Sequence, residues 1–157
     1  MSRATGDDYE IERKFLLRGM PRLPRGARVL RIDQGYIPGQ RLKERLRRVR
    51  EVNQTTYYRT IKFGSGIRRL EIEEETTAGV FRTLWRLTRG KRIRKRRYVV
   101  DDQGTWEIDR FVGFDLVLAE IELASEDERV SVPEWLAAVV EKEVTGDVAY
   151  TNYSLAR

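Results

Sequence analysis

Two glutamates and a lysine stand at alternate positions in the stretch YEIERKFLL, close to the start of the chain. Successive side chains of a β-strand point to opposite faces, so Glu10, Glu12 and Lys14 share one face, opposite the apolar Ile11 and Phe15. Carboxylates bind hard divalent cations, and a lysine ammonium binds anions as a point charge. This stretch therefore places groups for a cation and for an anion side by side.

The sequence contains no histidine and no cysteine. This composition excludes Ser-His-Asp and Cys-His catalysis, imidazole and thiolate metal sites, and disulfide bonds. Any bound metal must be held by oxygen ligands, which favours Mg²⁺, Mn²⁺ or Ca²⁺. The net charge of +6, from 31 basic and 25 acidic residues, is compatible with a nucleic-acid binder and with an enzyme that acts on a polyanion.

The length and hydropathy of the chain predict one globular domain over residues 1–157. An apolar content of 40% is enough for a hydrophobic core. The sequence has no apolar run of about 18 residues and no apolar segment typical of a signal peptide. We therefore expect no membrane span and a cytoplasmic location.

Strand-like stretches dominate the chain and are separated by turn sequences rich in Gly, Pro and Asp. They lie at 9–17, 29–37, 44–51, 55–63, 68–75, 93–100, 105–111 and 116–124. Apolar residues at helical spacing predict two helices, one at 77–89 that ends at Gly90 and one at 133–142 that begins with Pro133. This order predicts an α+β fold, with a mostly antiparallel sheet that closes into a barrel and a few flanking helices.

Charged residues alternate with apolar ones on most of these strands. The shared faces carry Arg48 and Arg50, Thr60 and Lys62, Glu71 with Glu73 and Glu75, Lys95 and Arg97, Glu107 and Asp109, and Glu120 and Glu122. Either these faces are solvated on the outside, or they point inward and line a polar lumen. They hold few of the Ser, Thr or Gln residues that usually share a solvated face, which favours the lumen.

A lumen lined by both signs of charge requires a ligand that carries both signs. Two like charges 4 Å apart repel by roughly 4 kcal/mol at an effective dielectric constant near 20. Clustered carboxylates would therefore attract a cation, and clustered arginines and lysines an anion. A metal-bound polyphosphate meets both requirements, because Mg²⁺ takes carboxylate and phosphate oxygens while Arg and Lys bind the remaining phosphate oxygens.

The stretch EIERK resembles the ExExK signature of the CYTH superfamily, the triphosphate tunnel metalloenzymes. Seven further segments resemble the family in the same order, from about residue 9 to residue 157. They are DQGYI (the QGY strand), ERLRRVRE (the paired-arginine strand), YYRTIKFGSGIRRLEIEEE (the T-I-K strand, glycine turn and R-x-E-x-E strand), IRKRRYVV (K-x-R-Y), TWEIDRF (W-E-x-D-x-F), LAEIEL (E-x-E) and the C-terminal EVTGDVAYTNYSLAR.

The resemblance implies an eight-stranded antiparallel tunnel that binds a triphosphate together with Mg²⁺ or Mn²⁺. It implies a metal-binding group formed by Glu10, Glu12, Asp109, Glu120 and Glu122. It implies a phosphate-binding group formed by Lys14, Arg48, Arg50, Lys62, Lys95 and Arg97. Among these, Glu12, Lys14 and Lys62 are the expected catalytic residues. Supporting roles fall to Glu71, Glu73 and Tyr36, whose hydroxyl is expected to bond Lys14.

The stretch RLRRVR offers two arginine pairs that point to opposite faces of one strand, Arg45 with Arg47 and Arg48 with Arg50. Counting back from the T-I-K strand, the second pair leaves a hairpin of the family's usual length. We therefore predict that Arg48 and Arg50 face the lumen and that the other pair lies outside.

The compact chain most resembles the bacterial inorganic triphosphatases, which cleave tripolyphosphate. The alternatives within the family are a thiamine triphosphatase, with Trp106 and Tyr98 as an aromatic clamp, and a class IV adenylate cyclase, although that class typically carries a histidine upstream of ExExK. Outside enzymes, the alternative is a polyphosphate- or RNA-binding module, which would not need inward glutamates. The resemblance makes nucleic acid an unlikely ligand and allows a homodimer.

Overall fold

The computed structural model describes residues 9–64 and 67–157. Its strands are β1 (Tyr9–Leu17), β2 (Arg28–Ile37), β3 (Lys43–Glu51), β4 (Gln54–Phe63), β5 (Arg68–Thr76), β6 (Arg92–Asp101), β7 (Thr105–Phe111), β8 (Val117–Glu122) and β9 (Val140–Glu143). Its α-helices are α1 (Ala78–Trp85), α2 (Glu134–Ala137) and α3 (Asn152–Leu155). Residues 1–8, and Ser65 and Gly66 of the FGSG turn, lie outside the described residues. Within the described ranges, none of the helices has the length and apolar character that a membrane span requires.

The strands form one antiparallel sheet in the order β5-β4-β3-β2-β6-β7-β8-β1-β9, and β5 also pairs with β1. This additional pairing joins the two sides of the sheet, so the predicted eight-stranded barrel is confirmed. β1 pairs with β8 along one edge. Along its other edge, its first residues pair with β5 and its last residues with β9. The extra strand β9 therefore pairs with the part of the β1 edge that lies beyond the end of β5.

The predicted helix at 133–142 is wrong in its second half. Only α2 is helical, and it is four residues long. The carbonyl of Val139 accepts a hydrogen bond from the amide of Arg18 at 2.9 Å, and Val140 pairs with Leu17 of β1. These β-branched residues suit a strand better than a helix, and they supply hydrogen-bond partners to an edge of β1 that β5 leaves open.

The predicted helix at 77–89 is confirmed as α1 followed by a 3-10 turn that ends at Thr88. Phe81 is buried on the outer side of the barrel, with its ring centroid 5.0 Å from that of Tyr57. Gly35 of β2 lies directly beneath this turn, because a Cβ atom built on Gly35 would come within 2.7 Å of the Thr88 side chain. The glycine of the QGY segment therefore allows α1 and its turn to pack closely on the sheet.

The larger apolar cluster lies on the outer face of β1, β7 and β8 beneath α2, and we call it the outer cluster. Its buried members include Phe15, Trp106, Ile108, Ala119, Ile121 and Leu136. These positions alternate with the charged residues noted in the sequence. This hydrophobic core therefore covers part of the barrel wall from outside, opposite the inward-facing charged side chains of the same strands.

We expect Leu136→Ala to lower the free energy of unfolding by about 2–5 kcal/mol, because Leu136 is fully buried and ties α2 to the barrel wall. Urea unfolding measures the change. Leu87→Ala is the matched control, since Leu87 is 58% exposed and its loss should change stability by about 0.5 kcal/mol or less. Equal destabilisation by the two substitutions would contradict this account of the outer cluster.

A second apolar cluster fills one end of the barrel interior. The inward positions at that end carry Leu16, Tyr36, Ile93, Phe111 and Leu118, and the C-terminal residues Val144, Tyr150, Tyr153, Leu155 and Ala156 pack against them. The backbone of Arg157 exchanges two hydrogen bonds with that of Arg92, of 2.9 and 3.0 Å. The C-terminal segment therefore forms an apolar floor, which we call the floor cluster, across this end of the barrel.

Candidate active site

The barrel encloses a cavity of about 950 Å³ whose walls are mostly charged. Ten of the residues singled out from the sequence line it: Glu10, Glu12, Lys14, Tyr36, Lys62, Glu71, Glu73, Arg97, Glu120 and Glu122. The alternating charged faces therefore point inward rather than into solvent. Of the residues predicted for the site, Arg48, Arg50, Lys95 and Asp109 do not line this cavity.

Lys14 lies at the centre of the ExExK strand with only 5% of its surface exposed. Its Nζ is 3.1 Å from Glu120 Oε1 on β8 and 3.7 Å from Glu12 Oε1. Burial by itself would lower the pKa of Lys14, but the charges of Glu120 and Glu12 outweigh it and raise the pKa above its ordinary value. Lys14 is therefore a fixed cation in a low-dielectric wall, with the geometry of an anion ligand.

Glu10 and Glu71 form a close carboxyl pair where β1 meets β5. Burial, the hydrogen bond with Glu71 and the charge of Glu71 raise the pKa of Glu10 to about 8. The pKa of Glu71 is lowered: burial raises it, but the hydrogen bond from Glu10 and the charges of Arg45 and Lys62 prevail. Glu10 therefore holds a proton at neutral pH, and Lys62 Nζ, 2.7 Å from Glu71 Oε2, neutralises its partner.

Glu12 and Glu122 are directly opposite each other on β1 and β8. Arg69 donates a hydrogen bond of 2.5 Å from Nη2 to Glu12 Oε1. Burial and the charges of Glu71 and Glu12 raise the pKa of Glu122. The excess negative charge at this end of the cavity is therefore only partly balanced by protein cations.

Lys95 and Asp109 lie on the inward face of β6 and β7 but do not line the cavity, and both are fully buried. Lys95 Nζ is 2.5 Å from Asp109 Oδ2, and Arg97 donates to both oxygens of Asp109 at 2.7 and 2.8 Å. Lys95 also donates to Asn152 Oδ1 at 3.2 Å, which connects it to α3. Asp109 therefore faces inward, opposite Arg97, but it serves as the partner of two buried cations and does not reach the cavity. Alternation identified the correct face of β6 and β7, but it carries no information on depth.

The prediction that Arg48 and Arg50 face the lumen is wrong, because the cavity is lined by Arg45 and Arg47 instead. The β3–β4 hairpin has a two-residue turn at 52–53, and this register places Arg45 opposite Thr60 and Arg47 opposite Tyr58. The first pair therefore shares a face with Lys62, two residues beyond Thr60. Arg48 and Arg50 point outward, where both donate to Asp33 Oδ2 at 2.8 Å.

Arg47 is a poorly neutralised cation of the inner wall. In the part of the chain that the structure describes, no carboxylate forms an ion pair with it, and its Nε donates to Gln34 Oε1 at 3.3 Å. Burial and the charges of Arg45 and Arg97 lower its pKa to about 10. By contrast, Arg45 lies 2.8 Å from Glu71 and 2.9 Å from Glu73. An anionic ligand would relieve the electrostatic strain on Arg47.

Tyr36 does not make the predicted contact with Lys14. Its hydroxyl accepts a hydrogen bond of 3.0 Å from Gln34, the same side chain that accepts from Arg47. Its ring packs edge-to-face on Tyr153 of α3, with centroids 5.2 Å apart. Tyr36 therefore supports the arginine wall and the floor cluster together.

The carboxylates of the cavity have the donor chemistry that a divalent cation requires. Over residues 9–64 and 67–157, no three of them converge on one point, because Glu12 and Glu120 are turned towards Arg69, Lys14 and Arg97. Glu10 Oε2 is buried without a hydrogen-bond partner. This oxygen, which makes no hydrogen bond although Arg69 Nη2 and Lys62 Nζ lie 3.7 and 3.8 Å away, fits a hard cation held by oxygen ligands, once the carboxylates turn from their protein partners.

Several residues of the cavity were not assigned from the sequence. Glu107 lines it and forms an ion pair with Arg97, and it lies two residues before Asp109 on the same strand face. Arg69 is likewise two residues before Glu71, so extending the alternation by one step identifies both. Arg41 and Lys43 extend the basic wall beyond Arg45. Asn152 comes from the C-terminal segment, and no spacing rule in one sequence places it beside Lys95.

The chain was compared with known proteins. No family model matches it. It is 37% identical to an inorganic triphosphatase of Nitrosomonas europaea over 94% of this chain and 96% of that protein, and 37% identical to an inorganic triphosphatase of Acetivibrio thermocellus over 94% and 93%. The crystal structure of the inorganic triphosphatase NE1496 superposes with a TM-score of 0.64 at 32% identity, covering 94% of this chain and 93% of that one.

A protein from Pyrococcus horikoshii, 21% identical over 75% of this chain and 80% of its own, has a TM-score of 0.53 and shows the shared fold alone. The two bacterial relatives cover nearly the whole chain at more than a third identity. The barrel, its charged interior and these relatives agree with one another. This chain belongs to the family of the inorganic triphosphatases, within the triphosphate tunnel metalloenzymes that the ExExK strand indicated.

Proposed function

We propose that the protein hydrolyses inorganic tripolyphosphate, with Mg²⁺ or Mn²⁺ as cofactor, inside the barrel. The observation that carries the proposal is that acidic and basic side chains occupy different parts of the cavity wall. Carboxylates of β1 and β8 stand across one space from Arg47, which lacks an acidic partner in the described residues. The relatives named inorganic triphosphatase support the choice of reaction.

The basic wall would bind the phosphate chain. Arg47 and Arg45 offer guanidinium groups that can contact phosphate oxygens bidentately, while Lys14 and Lys62 act as point charges. Arg97 completes this set from β6, fixed in orientation by Asp109. Because the chain brings these groups into place before reaction, they stabilise the charge that shifts to the leaving phosphate.

The acidic wall would hold the cofactor through Glu10, Glu12, Glu120 and Glu122. When bound, a divalent cation neutralises phosphate charge and lowers the pKa of a coordinated water. Glu10 would lose its proton on metal binding, since a nearby cation favours the carboxylate. Lys14 lies between both walls, 3.1 Å from Glu120, and is suited to contact the phosphate nearest the metal.

The lining of the cavity favours an inorganic substrate over thiamine triphosphate or a nucleotide. Trp106 and Tyr98, the candidates for an aromatic clamp, belong to the outer cluster instead. Among described lining residues, Tyr36 and Tyr153 are the aromatic ones, and each packs on the other. Lys43 Nζ lies 3.8 Å from the centroid of the Tyr153 ring, so a cation already covers it.

The remaining parts of the proposal concern the setting of the reaction. We expect a small-molecule substrate rather than nucleic acid within the cavity, because the floor cluster closes one end of the barrel interior. We expect the protein to act in the cytoplasm. A homodimer is compatible with the family.

Phosphate release from tripolyphosphate tests the proposal. We expect release to require Mg²⁺ or Mn²⁺ and to fall by at least about 100-fold in Glu12→Gln, because that substitution removes a carboxylate from the metal side. Glu74→Gln is the control, since Glu74 is 67% exposed and belongs to a surface pair with Arg59. ATP and thiamine triphosphate serve as competing substrates. Release that is unaffected by chelator, or equal in the two variants, would overturn the proposal.

A further inference from the structure

Six arginines lie together on the outer wall of the barrel, across β3, β2, β6 and β7, away from the cavity. We call this group the outer arginine array, and it consists of Arg31, Arg48, Arg50, Arg94, Arg96 and Arg110. Strand register aligns four of them in one row. Arg31 is opposite Arg50 on one side and Arg96 on the other, and Arg96 is opposite Arg110.

The array is poorly neutralised by the protein itself. Asp33 accepts hydrogen bonds from Arg48, Arg50 and Arg94, each at 2.8 Å to the nearest nitrogen. Across residues 9–64 and 67–157, no carboxylate forms an ion pair with the other three arginines, which are all exposed. Like charges directly opposite on a sheet are destabilising. Six cations against one carboxylate therefore leave a net charge of +5 on this wall.

The surrounding sequence extends the same charge. From Thr77 to Val100 the chain has nine basic residues and no acidic one. Two of the nine, Lys95 and Arg97, belong to the interior. Three others, Arg82, Arg86 and Arg89, are exposed on α1 and the turn that follows it. The Arg48 guanidinium lies 5.8 Å from the Phe81 ring of α1, so the helix borders the array.

The chemistry of the array fits bare phosphate better than nucleobases. Each of its cations is arginine, whose planar fork matches phosphate oxygens. Binding of single-stranded nucleic acid typically uses exposed aromatic rings for stacking. Tyr98, the aromatic residue on the outer face of β6, packs against the outer cluster instead.

We propose that the outer arginine array binds long-chain inorganic polyphosphate. This inference rests on the proposed function, because the chain it binds has the phosphoanhydride chemistry of the substrate proposed for the cavity. Its role is to hold long polyphosphate on the outer wall, so that chain ends are concentrated near the enzyme. The array takes no part in hydrolysis, and the barrel wall separates it from the cavity.

The test is direct binding of long-chain polyphosphate, with a chelator present to suppress metal-dependent binding in the cavity. The array variant carries Arg31→Gln, Arg96→Gln and Arg110→Gln. The control carries Arg22→Gln, Arg25→Gln and Arg129→Gln, which change net charge equally at three other exposed arginines. We expect the array variant to lose about tenfold in affinity, with a shallower salt dependence, because three phosphate contacts are removed. Circular dichroism confirms folding, and tripolyphosphate hydrolysis should equal that of the wild type.

Equal affinity of the two triple variants would overturn the proposal. So would competition in which duplex DNA, RNA or polyglutamate of matched charge displaces the protein more effectively than polyphosphate. An experiment that refutes the proposed function would give a different result from one that refutes the array. A wild type that binds long polyphosphate through the array but releases no phosphate from tripolyphosphate would refute the triphosphatase proposal and leave the array intact.

Discussion

Asp109→Asn should lower the free energy of unfolding by about 3–5 kcal/mol, one of the largest effects that a single substitution can have in this protein. The carboxylate is fully buried and accepts from Lys95 and from both sides of the Arg97 fork. Asparagine keeps the shape but leaves two buried cations without their negative partner. Urea unfolding measures the loss, with Asp115→Asn, an exposed aspartate, as the control.

The same residue gives the stability a defined dependence on pH. Burial raises the pKa of Asp109, but the charges of Arg97 and Lys95 outweigh burial and lower it below its ordinary value. Its stabilising contribution is therefore complete above the unfolded pKa of about 3.9, and it is lost as the pH falls towards the folded pKa. The asparagine variant should show a correspondingly weaker loss in acid. A destabilisation of about 1 kcal/mol or less, typical of a surface ion pair, would contradict this role.

Arg47→Gln should reduce kcat/KM for tripolyphosphate by about 100-fold, the scale expected when one preorganised charged donor is removed from a reacting group. Arg50→Gln is the matched control, because the two arginines are three residues apart on one strand but point to opposite sides of the wall. We expect the control to stay within about twofold of the wild type, a change of about 0.4 kcal/mol.

Arg47→Gln should lower activity without lowering the free energy of unfolding. Burial and neighbouring arginines lower the pKa of Arg47 to about 10, so its charge is unfavourable in the folded protein without ligand. Arg47→Gln should therefore be at least as stable as the wild type in urea, in keeping with the trade-off between stability and activity at functional sites. If Arg50→Gln lost activity and Arg47→Gln kept it, the register-based assignment of the inner wall would be refuted.

The sequence allowed the barrel and most of the cavity wall to be predicted, because alternation is a local property of a strand. Glu10, Glu12 and Lys14 needed only the two-residue period to share a face. The choice between Arg47 and Arg50 needed more, namely the number of residues in the β3–β4 turn, and one residue more or less reverses every side chain of the strand. Register is therefore the point at which local reasoning failed.

The depth at which a side chain is buried, and its partners far along the chain, could not be predicted from the sequence either. Lys95 and Lys14 both stand at inward positions of a strand, yet Lys95 is fully buried with Asp109 and Lys14 lines the cavity. Val140 continues an apolar helical pattern, but β1 offers it an unpaired edge and it becomes a strand. Both outcomes depend on elements far away in the chain, which no window of neighbouring residues contains.

The closure of the barrel on β1 has a consequence for how the protein reaches its native state. Glu12 pairs across the sheet with Glu122, a separation of 110 residues along the chain (122 − 12). Loop closure over such distances makes folding slow, in the range of milliseconds to seconds for proteins dominated by non-local pairing. Until β8 and β5 both dock, the strand that carries Glu12 and Lys14 has open edges. In a refolding experiment, recovery of activity should therefore lag behind the formation of the β2–β3 and β3–β4 hairpins and report the final step of assembly.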